Sequence, residues 1–132
     1  METIILSGNV AVPLKYKLNS SLEIGVWAIR IEQIVITKQK GSPSEVICDL
    51  RVNLLQGYLD KKCRFSYGQI ALFPLPISSQ SSAVVPLSNC GWHPISKNEP
   101  NLIVTAFDPK SNEPVATTDY DICIHLSLQR QQ

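Results

Sequence analysis

Apolar and polar residues alternate with a period of two through much of this chain. Val46, Cys48, Leu50, Val52 and Leu54 share one face of an extended segment, and Ile47, Asp49, Arg51, Asn53 and Leu55 share the other. One face is wholly apolar and the other mostly polar, which predicts a strand buried on one side. The pattern returns near the end, where Ile122, Ile124, Leu126 and Leu128 alternate with Asp121, Cys123, His125 and Ser127. Leu102, Val104 and Ala106 form a third instance. The longest β-rich run, Glu23 to Lys38, is full of β-branched residues, and its alternation falters at Glu32-Gln33. A bulge there, or a break into two strands, restores the pattern on either side.

Further strands are expected over Thr3–Ser7, Lys15–Leu18, Arg64–Phe73, Ala83–Leu87 and Pro114–Thr117. Turn-forming stretches separate them, among them Ser7-Gly8-Asn9, Lys40-Gly41-Ser42-Pro43 and Asp108 to Pro114. Nine prolines spread along the chain argue against long helices. The one helical turn expected lies near Leu54–Lys61. Strands at intervals of roughly ten residues describe a sandwich or barrel. The expectation is therefore an all-β fold, a β-sandwich in the form of a single jelly roll of about eight antiparallel strands. It occupies residues 1–132 as one domain.

Composition sharpens this picture in two ways. Charged residues make up 17% of the chain, below the roughly 25% of ordinary soluble domains. Self-assembly would cover a surface so poor in charge, and a large sandwich core in a short chain would give the same deficit. The net charge is +1, and bases and acids are mixed throughout. Residues 1–45 carry five bases and four acids, 46–88 four and two, and 89–132 three and five. No segment has the basic excess of a nucleic-acid surface. The cluster Lys61, Lys62, Arg64 reads as a solvated turn or edge.

The first residues lack a basic stretch ahead of a long apolar run, so no signal peptide is expected and synthesis in the cytoplasm is. No apolar run approaches the ~20 residues of a membrane span. The four cysteines, Cys48, Cys63, Cys90 and Cys123, form no CxxC pair and are expected as reduced thiols.

Candidate chemistry is sparse. Cys90-x-x-His93 and Cys123-x-His125 contain four residues of zinc-ligand type. The second pair falls on the polar face of the last strand and the first lies in a loop, and nothing in the sequence brings them together. Cys90 near His93 lacks an orienting carboxylate, serines sit in turn clusters, and the six glycines are dispersed. The expectation is a protein without catalytic residues, metal or cofactor. Tryptophan favours the centres of interfaces, so the candidate contact residues are Trp92, His93, Tyr58 and Tyr67, while core packing is the role expected first of Trp92 and a loop anchor another. Trp27, in a dense apolar strand, is expected in the core.

The last third carries a resemblance. Ser88-Asn89-Cys90-Gly91-Trp92-His93-Pro94-Ile95 is followed by Leu102-Ile103-Val104-Thr105-Ala106-Phe107-Asp108 and then by Ile122-Cys123-Ile124-His125-Leu126-Ser127-Leu128. This order resembles the C-terminal strands of single jelly-roll virion proteins, the penton-like minor capsid proteins of Maverick (Polinton) elements and related double-stranded DNA viruses. The resemblance covers about 45 residues of pattern. It implies a structural role without cofactors, in a symmetric homo-oligomer such as a pentamer or trimer. Other capsid proteins would be partners and the virion the destination. The alternative is a β-sandwich module that recognises a protein or glycan partner through its loop end. A metal-dependent enzyme on the same scaffold would need more histidines facing the interior.

Overall fold

The computed structural model describes residues 2–18, 26–39, 46–55, 57–59, 65–66, 68–75, 82–87, 91–95 and 99–131. The basic cluster around Lys61, the serine-rich stretch up to Ser81, and Tyr67, Cys63 and Cys90 lie outside these residues. The described strands are β1 (Glu2–Asn9), β2 (Leu14–Lys17), β3 (Val26–Lys38), β4 (Ile47–Val52), β5 (Tyr58–Leu59), β6 (Phe65–Ser66), β7 (Gly68–Pro74), β8 (Ser82–Val84), β9 (His93–Pro94), β10 (Asn101–Asp108), β11 (Glu113–Pro114) and β12 (Tyr120–Gln131). No helix occurs among the described residues. Where a helical turn was expected, near residue 58, the chain instead forms β5 and pairs with β6.

Two antiparallel sheets pack face to face as a β-sandwich. The first has the order β1-β12-β3-β8, with β9 also against β3. The second has the order β11-β10-β4-β7, with β2 also beside β10. The chain changes sheet between β1 and β2, between β2 and β3, and between β3 and β4. It changes again from β7 to β8, from β9 to β10, and from β10–β11 to β12. Residues distant in sequence therefore meet in nearly every ladder.

Period-two alternation explains the core. Ile4 and Leu6 of β1, Ile122, Ile124, Leu126 and Leu128 of β12, and Ile29, Ile31, Ile34 and Ile36 of β3 are buried on the inner face of the first sheet. Cys48, Leu50 and Val52 of β4, Phe73 of β7, and Leu102, Val104 and Ala106 of β10 face them from the second. The isoleucines of β3 change parity, from odd numbers to even. A bulge makes this possible: His125 pairs with Gln33 and Leu126 with Ile31, so Glu32 is the extra residue. Glu32 and Gln33 are both exposed, and apolar residues on either side keep facing inward. The faltering alternation in the sequence is this bulge.

One expectation needs correction. The polar face of β4 does not face water, because Asp49, Arg51 and Asn53 are as buried as the apolar face.

Candidate interaction surface

The outer face of the second sheet carries a closed polar network. The Nε and Nη2 groups of Arg51 donate to Asp49 Oδ2 at 3.0 and 2.9 Å. Gln69 Nε2 donates to the other Asp49 oxygen at 2.8 Å. The guanidinium lies over the ring of Phe107, 4.3 Å from its centroid. Its Nη1 donates to the side-chain oxygen of Asn112. Asn112 reaches this position from the β10–β11 turn, where its backbone takes the left-handed conformation at φ 58°, one that asparagine tolerates better than most residues. The turn is held by Asn112 N–H donating to the Asp108 carbonyl and Lys110 N–H donating to the Asp108 carboxylate. Just past the end of β4, Asn53 donates to Glu99 and to the Asn101 carbonyl and accepts from Ile103 N–H. Every buried polar group here has a partner, which is what permits burial. The alternation of acid, base and amide at 49, 51 and 53 was the available signal. Such an alternation looks solvated because an isolated strand does not reveal what lies above it.

The outer face of the first sheet has a different character. β12 presents Asp121, Cys123, His125 and Ser127, paired across the sheet with Thr37, Val35, Gln33 and Arg30 of β3. On the other side they pair with Asn9, Ser7, Ile5 and Thr3 of β1. Val35 in turn pairs with Val84 of β8. Ile5 and Val84, 57% and 60% exposed, thus mark the two margins of this face, with Val35 and Cys123 half-buried between them.

Trp92 belongs to this face and not to the core. The guanidinium of Arg30 lies 4.6 Å from the centroid of its ring, and Arg30 Nε donates to Glu32 Oε1 at 2.8 Å. This hydrogen bond, and a second from Ser127, hold the Glu32 carboxyl below the usual carboxylate range. The Trp92 segment is fixed because β9 adds to β3, with Ile29 opposite His93, Ala28 opposite Pro94, and Ile95 N–H donating to the Trp27 carbonyl. Trp27 packs against the core from a partly buried position, and its indole N–H is buried without a hydrogen-bond partner. The stacking of Arg30 on Trp92 leaves no local signal in the sequence, because 62 residues separate the two.

Opposed residues in an antiparallel pair share a face, so His93 falls with Ile29 on the inner side of the first sheet. Cys123 and His125 fall on the outer side. The sheet therefore separates the histidine of one candidate zinc pair from both members of the other. Among the described residues, no group of three or more ligand-type side chains gathers. Tyr58 contributes backbone to β5, and Tyr67 lies outside the described residues. The four candidate contact residues are thus not assembled into one described site.

No family model, curated protein or solved structure matches this chain. Functional inference therefore rests on its surfaces. Among the described residues, no helix is long and apolar enough to cross a membrane. Burial pushes the Cys48 thiol up to about 12, with the neighbouring Asp49 charge adding to the effect. Cys123 is a free, half-buried thiol on the outer face. Iodoacetamide at pH 8 is expected to alkylate Cys123 in the native protein and to spare Cys48. Peptide mass mapping checks this, and equal labelling of the two thiols would contradict their placement.

A last feature lies at the margin of the first sheet. A groove of about 420 Å³ runs between β1 and β2, walled by residues that include Ile5, Gly8, Val12, Leu14 and Lys15. Gly8 allows the close approach of these strands, since a Cβ there would sit 2.8 Å from Leu14 Cδ2. At one end the Tyr16 hydroxyl donates to Glu2 Oε1 at 3.1 Å.

Proposed function

We propose that this protein is a non-enzymatic structural component, a single jelly roll of virion type that works as a symmetric assembly of identical copies. The observation that carries this reading is the outer face of the first sheet. It carries exposed Ile5 and Val84 at its margins, with Val35 and Cys123 half-buried between them. Apolar side chains that reach the surface on the outer side of a sheet favour a contact surface over a solvated one. The strand order supports the jelly-roll class. Taking the eight longer strands in chain order, the sheets run 1-8-3-6 and 2-7-4-5, an arrangement of two interlocked Greek keys. The low content of charged residues is in keeping with a covered surface.

Mass photometry across a dilution series tests the reading. A discrete oligomer, from a two-fold dimer upward, is expected, and a monomer at every concentration would refute it.

A second reading, a binding module for a protein or glycan partner, is favoured by Trp92. Its ring is half-buried on the outer face beneath the Arg30 guanidinium, an arrangement suited to a contact anchor. Under that reading Trp92→Ala abolishes partner binding while the circular dichroism of the fold persists.

A further inference from the structure

The sandwich protects every described free edge except one. β8 and β9 are three and two residues long. β2 has four residues and carries exposed Lys15 and Lys17, and β11 ends in Pro114. β7 is bulged, because Ala71 pairs with Leu50 and Gln69 with Arg51, which leaves Ile70 over, and it ends at Pro74. Short strands, lysines, prolines and bulges are the usual means of keeping an edge from pairing with another chain. β1 has none of them. Its eight residues, Glu2-Thr3-Ile4-Ile5-Leu6-Ser7-Gly8-Asn9, pair with β12 in unbroken register.

The free side of β1 can be specified residue by residue. Val10 N–H donates to the Tyr120 carbonyl at 3.0 Å, continuing the β1–β12 register. Hydrogen-bonded pairs alternate in an antiparallel ladder, so the even-numbered residues of β1 turn their amides to β12. Thr3, Ile5 and Ser7 turn theirs outward, along the groove between β1 and β2.

We propose that β1 pairs antiparallel with β1 of a second copy about a two-fold axis at Ile5. This rests on the assembly reading above and names one of its contacts. Length argues for the occupant. Among the described edges only β1 itself offers a regular run long enough to saturate β1. The sequence argues for the register. Antiparallel pairing centred on Ile5 sets Ile5 against Ile5, Thr3 against Ser7, Ile4 against Leu6, and Glu2 against Gly8. Hydroxyl then meets hydroxyl and isoleucine meets isoleucine on the outer face, and aliphatic meets aliphatic on the inner. The pairing also joins odd residues to odd, the ones whose amides are free. Charge agrees. Glu2 of one copy arrives beside Gly8 of the other, in the groove that Lys15 also lines, and Lys15 has no ion pair among the described residues. The result is one continuous sheet through both copies, with the exposed Ile5 side chains covering each other. A contact of this kind is isologous and closes on itself.

Ile5→Pro tests the contact in the full chain. Proline is tolerated on an edge strand where its missing N–H faced solvent, so the ladder to β12 survives while pairing between copies is blocked. Ile5→Lys is the second variant, adding a charge at the axis. Sedimentation velocity should show each variant, still β-rich by circular dichroism, associating about 100-fold more weakly than the wild type, from lost hydrogen bonds and apolar cover. Hydrogen exchange should slow at Thr3, Ile5 and Ser7 as wild-type concentration rises. An oligomer unaffected by either folded variant, with those amides unprotected, would overturn this contact and leave the assembly reading standing. A wild type monomeric throughout would overturn both.

Discussion

Deletion of His125 from β12 is expected to leave no folded protein, whereas deletion of Glu32 from β3 should leave the fold in place. The contrast follows from the bulge. Glu32 is the one residue of β3 without a partner of its own on β12. Removing it sets Ile31 and Ile34 two positions apart in a regular ladder, so the isoleucines on both sides still face inward. β12 has no such spare residue, and a slip of one residue there turns side chains to the opposite face. Either Ile122 and Ile124 or Leu126 and Leu128 must then leave the core, where all four are at most 3% exposed. Exposing each of these side chains costs roughly 1.5–3 kcal/mol in transfer free energy, and the cavities left behind add to it. The sum approaches the whole stability of a small domain, about 5–15 kcal/mol. Circular dichroism and thermal melting of the two variants side by side make the measurement. A His125 deletion that melts close to the wild type would mean that the core does not depend on this register.

Breaking the Arg51–Asp49 pair from one side is the second large effect. Arg51→Ala should destabilise the domain by about 3–5 kcal/mol, because it strands a buried carboxylate. Replacing both partners, in Asp49→Leu with Arg51→Met, should recover most of that loss, since apolar pairs often substitute for buried ion pairs without penalty. Both side chains are at most 3% exposed, so solvent contributes little screening. Arg51 also bridges β4 to the β10–β11 turn through Asn112, and the double variant gives up that link. Urea denaturation of Arg51→Ala and of the double variant measures the difference. Equal destabilisation by Arg51→Ala and by the double substitution would assign the cost to the lost bridge to Asn112 and not to the stranded charge.

Local pattern made much of this architecture legible. Alternation placed β4, β10 and β12 correctly, and the interrupted run at Glu32-Gln33 marked the bulge before any pairing was known. These features depend on side chains one and two positions apart, so sequence alone carries them. The inward set of β12, Ile122 to Leu128, and the outward set with Cys123 and His125 were likewise determined by strand periodicity.

Other features arose only when distant segments met. Trp92 looked like a core residue or a loop anchor until β9 added to β3 and brought it over Arg30. The polar face of β4 looked solvated until the β10–β11 turn delivered Asn112 and the neighbouring strands delivered Gln69 and Phe107. The two cysteine–histidine pairs were compatible with one site until the first sheet came between His93 and His125. The near-palindrome of β1 is present in the sequence, yet it acquires meaning only because β1 lies at an edge with its odd-numbered amides unpaired. The sequence by itself determined which side chains turn inward, because that depends on spacing along one strand. Tertiary structure decided which outward faces are covered, which are bare and which edge is open, because those depend on strands far apart in the chain.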